Sequence, residues 1–477
     1  MTQSAVDDQR DVIAYGGRPP VRVRRGTAAP FGWWPAIVVA LVALIDRIEY
    51  NLLAGALPRI QAEFGFSDAA AGAIPTAGAL AAVVLLLPAG RLADTGKRTW
   101  IIASVVAVWA LLTVGTGLTG TYAVLFGVRV LLGAAGQLYN PPAASLLGDL
   151  YPGSSRARAY GLERAAYFSG LPIGVIAGGA LADAFGWRTG FFLVAVPGVL
   201  IAMLVLTIRE PVRGLGDRLS RWYADPAVSP NPVTPVDVTA TAVEAHRAAR
   251  APAAPAGSMW AQLRALLRIR TLRLVVIGLS ILFFGLGGTF FWMPSFYERA
   301  FFPGDEAASA ALAGGSGLVG IVAGIALGSW LGDRWHGRRP GWRVALGGWS
   351  LLVGTAALAV AVSVPVLAVN ATFFTLANVG FAGAIANLTA ANADVVAAQR
   401  RGLGFAVLQF VVTLGGAFGP WLVGVASTAL NDGGATPGDS LRYAFWVVVA
   451  PLLAGSLVVL AGRTSYDRDA ARALSAA

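Results

Sequence analysis

The chain of 477 residues is 56% hydrophobic and only 13% charged, with a mean hydropathy of +0.66. A soluble chain carries about a quarter charged residues, so a water-soluble globule is excluded. The net charge of +11 does not describe a basic groove: of 36 Lys and Arg, 29 fall in alternate loops or tails, 4 in the opposite loops and 3 inside apolar segments. That is the positive-inside pattern of an inserted bundle, with no nucleic-acid partner. Cysteine is absent, which excludes disulfides and thiolate metal sites.

In chain order, residues 1–31 read as a polar, disordered cytoplasmic tail, and the first span is entered at Trp33-Trp34-Pro35. It is too interrupted by charge for a cleaved signal peptide. Apolar segments near 20 residues follow at 34–57, 70–89, 99–119, 121–147, 158–182 and 187–208. A second set lies at 272–297, 307–331, 342–363, 366–393, 402–430 and 441–462. The expected fold is an all-α membrane protein with twelve transmembrane helices in two six-helix bundles, 32–208 and 272–463. The even count places both termini, including the 464–477 tail, on the arginine-rich cytoplasmic side of an inner (plasma) membrane. Residues 209–271 form a linker, flexible through its Pro- and Ala-rich centre. Near its end, Trp260, Leu263 and Leu267 share a face opposite Arg264 and Arg268, as in an interfacial helix or an extension of span seven.

A short loop after span two, Gly90-Arg91-Leu92-Ala93-Asp94-Thr95-Gly96-Lys97-Arg98, returns in altered form as Ser329-Trp330-Leu331-Gly332-Asp333-Arg334-Trp335-His336-Gly337-Arg338-Arg339. Arg158-Ala159-Tyr160-Gly161-Leu162 and Arg401-Gly402-Leu403-Gly404-Phe405 open spans five and eleven in the same way. The halves are therefore read as a duplication, the architecture of a solute carrier. The loop is expected to act as a latch. Asp94 would cap or pair and Lys97-Arg98 anchor topology, with Gly90, Asp333, Arg334, Arg338 and Arg339 in the same gating role.

Charges in mid-membrane cost several kcal/mol and default to functional candidates. Asp46 lies about 18 Å into span one, with Glu49 and Tyr50 on its face. Arg47 points about 100° away, and no ion pair with Asp46 is expected. On span four, Arg129, Gly133, Gln137 and Asn140 form one stripe; Glu49 and Arg129 lie at equal depth, about 12 Å from the outer boundary, and could meet. No histidine falls in any span, so a proton coupled to transport would bind Asp46 or Glu49; the alternative is a static pair. Arg129 is either the partner of Glu49 or the anchor of an anionic solute, with Tyr50, Gln137 and Asn140 beside it. Glu163 and Arg164 read as gate or interface residues near the inner end of span five. In the second half, Trp292 fits a vestibule wall or an aromatic belt, and Asn387 and Gln409 are buried amides that bind solute or bridge helices. An intramembrane enzyme lacks a nucleophile, base or metal cluster. No cofactor is expected, and the chain is read as a monomer with protons, lipid and a small-molecule or lipid solute as partners.

With these residues in view, the chain resembles the major facilitator superfamily, and within it the spinster-like branch. The carriers are the 90–98 loop, Asp46-Arg47, Glu63-Phe64-Gly65-Phe66-Ser67, Arg129-Val130-Leu131-Leu132-Gly133, Gly186-Trp187-Arg188, Phe291-Trp292-Met293-Pro294-Ser295-Phe296 and Leu331-Gly332-Asp333-Arg334. The resemblance implies the two-bundle pseudo-symmetric fold and a secondary carrier, often proton-coupled, of lysolipid-like or other amphipathic anions; the near-absence of lysine (Lys97 alone) points separately to a GC-rich bacterial genome. A multidrug efflux proton antiporter is the rival reading. Two departures stand out: the first loop is a residue short between Asp94 and Gly96, and the glutamate usually seven residues after Arg129 is Gly136 here.

Overall fold

The computed structural model describes residues 12–15, 18–24, 26–136, 138–224, 264, 266–335, 338–396 and 401–475. Eleven of its helical segments are long and apolar enough to cross a membrane. The twelfth span, α1 (Trp34–Phe64), has the length but carries Asp46, Arg47 and Glu49 in its middle. The chain is thus an all-α membrane protein, as its hydropathy predicts.

The first bundle continues with α2 (Asp68–Thr95), α3 (Arg98–Gly117), α4 (Tyr122–Gly136), α5 (Asn140–Leu150), α6 (Gly153–Phe185) and α7 (Trp187–Thr207). The single predicted span at 121–147 is two helices. Pro141 and Pro142 lack the N–H groups that would continue α4, and they sit instead at the start of α5, where no such donor is needed. The second bundle comprises α9 (Arg270–Ala300), α10 (Glu306–Trp335), α11 (Trp342–Ser363), α12 (Leu367–Asp394), α13 (Arg401–Asp432) and the broken pair α14 (Pro437–Ala444) and α15 (Trp446–Ala461). Between the bundles, α8 (Leu215–Ala224) follows span six, and α16 (Arg463–Ser475) follows the last span.

Two readings of the ends change. An antiparallel ribbon, β1 (Val12–Tyr15) with β2 (Arg18–Arg22), occupies the tail expected to be disordered. Just beyond it, Val23 packs on Leu215, Leu219 and Trp222 of α8, an apolar contact that ties tail to linker. Trp260 and Leu263 of the expected interfacial helix lie outside the described residues; Leu266 is buried and Leu267 exposed.

The start of α1 and the end of α15 share one end of the bundle, the terminal face; the opposite end is the distal face. Every described hydrogen bond and close backbone approach between the two bundles lies in their distal halves. The start of α2 packs on α13, with the backbones of Gly72 and Pro420 too close to admit a Cβ on Gly72, and Thr76 donates to Ala417 O at 2.6 Å. Likewise α6 meets α10 where a Cβ on Gly314 would lie 2.7 Å from Pro172 O.

Candidate functional site: a buried charge cluster and a distal lock

The middle of α1 is the chemical centre. Asp46 and Arg47 are 6% and 8% exposed, and the Arg47 guanidinium donates through Nε to Asp46 Oδ2 at 2.8 Å. This corrects the expectation that the two would not pair. The 100° offset separates their Cβ atoms, but arginine's long stem folds back, and a buried guanidinium takes the nearest carboxylate. Two rings finish its setting: its Cζ lies 5.0 Å from the Tyr50 ring centre and 4.8 Å from that of Tyr167, which α6 supplies.

Glu49, wholly buried, pairs with Arg129 of α4, as their equal depth predicts. Arg129 also donates weakly to Tyr50 O at 3.4 Å, and its Cζ lies 5.7 Å from the Phe191 ring centre on α7. The guanidinium is thus engaged by Glu49, by Tyr50 O and by the Phe191 ring. Glu49 Oε2 has no hydrogen-bond partner among the described residues.

Glu163 lies with this cluster. It is 7% exposed, pairs with Arg164 at 3.2 Å, and lies within electrostatic reach of Asp46, Arg47 and Tyr139. The Arg164 side chain is 58% exposed, with the Tyr167 ring centre at 5.5 Å, and is the exposed cation of this group. Gly136 explains its own departure from the family pattern: a Cβ there would stand 3.0 Å from Asp46 Oδ1, so the carboxylate occupies the space of a side chain. Asn140 opens α5, and Gln137 lies outside the described residues.

The second bundle supplies no charge at this depth: positions 274–297, 307–332, 344–393 and 402–431 contain no Asp, Glu, Lys or Arg. Nor do its expected polar residues converge. Trp292 is fully buried and donates to Pro420 O at 2.8 Å, so it braces α9 on α13 and lines no vestibule here. Asn387 donates at 2.9 Å to both Gly328 O and Gly383 O, bridging α10 and α12. Gln409 alone is exposed, donating to Thr413 Oγ1 at 3.2 Å.

At the terminal face, the side chains of Gly90 to Asp94 are outside the described set, and Lys97 is exposed. Arg98, by contrast, is 0% exposed and clamps its own bundle. It pairs with Asp149 of α5 and donates to Glu210 Oε1 at 2.8 Å and Pro211 O at 2.9 Å, after span six. Burial pushes the Glu210 carboxyl up, but the donors Arg98 and Thr99 N outweigh it and hold the group below the usual glutamate range. The duplication repeats the clamp: Arg343 opens α11 and pairs with Asp394 at 2.7 Å and with Asp333 at 3.3 Å. Asp333 thus bonds within its bundle. Arg334 stacks on Trp330, and Arg339 on Trp335 and Trp342. Asp149 and Asp394 close the matching spans four and ten, a signal the repeat offered.

The distal seam carries a lock that no motif announced. Asp68, 4% exposed at the start of α2, takes both prongs of Arg299 from α9 at 2.7 Å, Ser427 Oγ from α13 at 2.6 Å and Gln61 Nε2 from α1 at 2.9 Å. A second link runs from Arg59 of α1 to Glu306 of α10 at 2.9 Å and to Asp183 of α6 at 2.7 Å.

The sequence profile of the Major Facilitator Superfamily matches residues 39–369. The chain belongs to the Major Facilitator Superfamily. With its many apolar helices, it is a multi-pass membrane protein of that superfamily. The spinster-like resemblance is supported by human protein spinster homolog 1, 28% identical over 274 residues, 56% of this chain and 46% of that one. The multidrug efflux pump LfrA of Mycolicibacterium smegmatis is 32% identical over 214 residues, 44% of this chain and 40% of that one. The chain spans about half the length of the curated relatives it matches. In fold it is similar to a bacterial homologue of the human lysosomal transporter spinster, with a TM-score of 0.74 at 21% identity over 91% of this chain and 98% of that one.

Proposed function

We propose that this superfamily member is a proton-coupled carrier of an amphipathic anion. The terminal face would be cytoplasmic, by the positive-inside rule, and the conformation described here inward-open, with the distal seam closed. The observation that carries the reading is the charge count at mid-depth. Three carboxylates (Asp46, Glu49, Glu163) share two buried guanidiniums (Arg47, Arg129), so full ionisation leaves one negative charge that, among the described residues, the exposed Arg164 offsets. Uptake of one proton removes that imbalance, and approach of an anion to Arg164 changes it again, which couples the two events.

The division of labour between bundles supports the solute class. The first bundle carries a charged cluster with Tyr50 and Tyr167 beside it, while the second bundle has no charge in the middle of its spans, as suits a molecule with an ionic head and an apolar body. In this reading Arg164, with Arg47 behind it, receives the head group, and Arg129 stays with Glu49.

The similarity to LfrA favours a second reading, efflux of cationic drugs, in which the surplus carboxylate meets the drug's positive charge. A proteoliposome screen of lysolipids, fatty acids, sugars and cationic drugs under an imposed pH gradient separates the two. An amphipathic anion accumulated by the wild type and lost on Arg164→Gln supports the first. Transport of cations alone, insensitive to Arg164, replaces it with the second.

A further inference from the structure

Away from the charge cluster, the end of α10 and the start of α11 carry a second arrangement of cations and rings. Arg334 Cζ lies 5.4 Å from the ring centre of Trp330. One turn of chain later, Arg339 Cζ lies 4.5 Å from that of Trp335 and 5.5 Å from that of Trp342, and the two indoles pack at 6.1 Å. The rings lie within cation–π reach of these guanidiniums and leave their N–H donors without a carboxylate partner among the described residues.

The nearby acids are committed elsewhere. Asp333 turns to Arg343 at 3.3 Å, and Asp467 accepts from Gly341 N at 2.8 Å. Arg334, Arg338 and Arg339 are all exposed and make no ion pair among the described residues. This contrasts with Arg98 and Arg343, the arginines that begin the matching spans and are saturated with carboxylates.

An apolar track leads to them. On α10, Val319 (60% exposed), Val322 (59%), Ala326 and Trp330 (57%) recur every three or four residues, so they form one outward stripe that ends at Arg334. On α11, Val353 and Trp349 lead in the same way towards Trp342. Both stripes belong to membrane spans, so hydrocarbon covers them, and their arginine ends stand at head-group depth beside an aromatic belt.

We propose that Trp330, Arg334, Trp335, Arg339 and Trp342 form a binding site for the phosphodiester head group of an anionic diacyl phospholipid, whose acyl chains run along the α10 and α11 stripes. Charge selects a phosphate: a guanidinium without a carboxylate partner can fork onto its oxygens, whereas a zwitterionic head group brings a cation that these arginines repel. Arg338 adds long-range attraction.

The test uses the full chain in detergent and native mass spectrometry with added phosphatidylglycerol or phosphatidylcholine. Basic side chains near an anionic surface are worth about 1 kcal/mol each. Arg334→Gln with Arg339→Gln should therefore weaken phosphatidylglycerol binding about 30-fold and leave phosphatidylcholine unchanged. Trp335→Leu, which keeps both charges but removes a stacking face, should give a smaller loss. Inorganic phosphate at equal concentration should not displace the lipid, because it lacks the chains. Equal retention of phosphatidylglycerol by wild type and the double variant overturns the proposal; displacement by inorganic phosphate overturns the lipid assignment. Should the double variant unfold, Arg334→Lys with Arg339→Lys supplies the reading: the charge is kept, the fork is lost, and a selective drop for phosphatidylglycerol is still required.

Discussion

Replacing Asp68 by alanine should open the distal face. In the closed state its carboxylate accepts four hydrogen bonds, two from Arg299 and one each from Ser427 and Gln61, and joins helices from both bundles. Hydrogen bonds to charged groups carry about 1.5–3 kcal/mol each, but opening the seam rehydrates both ions and returns much of that. A lock worth about 3 kcal/mol follows, and at about 1.4 kcal/mol per tenfold the variant should shift the equilibrium about 100-fold towards distal-open. The shift should not be complete, because Arg59 still links Glu306 and Asp183. The cysteine-free chain suits spin labelling: Ser67→Cys and Asp432→Cys place labels on exposed sites of opposite bundles. Double electron–electron resonance should show a longer-distance population in Asp68→Ala that is minor in the parent, with Asp68→Asn between them. An unchanged distribution in a folded Asp68→Ala protein would refute the lock.

Arg129→Ala strands the fully buried Glu49 and should cost about 3–5 kcal/mol, read as lower thermal stability; Glu49→Gln in the same chain should restore it, and failure of that rescue contradicts the partner role. At the terminal face, the depressed Glu210 carboxyl stabilises the fold above its unfolded pKa, near the ordinary 4.5, and that stability is lost as pH falls through the lower folded value. Melting temperatures of wild type and Glu210→Gln should therefore differ at neutral pH and converge in acid; a constant gap would remove the charge from the clamp. A cysteine at Ser154, exposed between spans four and five, should react with impermeant maleimide only from the cytoplasmic side. Labelling from outside would invert the topology.

The sequence makes legible what depends on local pattern. Hydropathy places the spans, and counting residues along two helices brings Glu49 to Arg129. Interactions made by long side chains or by distant segments were harder to see. Arg47 reaches Asp46 through a bent stem that helical angles ignore. Asp68 and Arg299 stand 231 residues apart and meet only once the bundles close. Trp292 reads as interfacial from its span position, yet small residues such as Gly424 let it sink between α9 and α13. Gly136 looks like a lost acid until Asp46 is seen filling its place. Glu163, read from its depth as a gate or interface residue, lies near the acids of α1 because α6 packs along that helix.

The central claim is that carboxylates of the first bundle bind the coupling proton. Its most direct test is solute accumulation in proteoliposomes under an imposed pH gradient, comparing wild type with the Asp46→Asn, Glu49→Gln and Glu163→Gln triple variant. Amides keep shape and hydrogen bonding but do not titrate. The account predicts that the triple variant retains counterflow exchange of the solute but no longer concentrates it. Gradient-driven accumulation at the wild-type level in the triple variant would contradict the account.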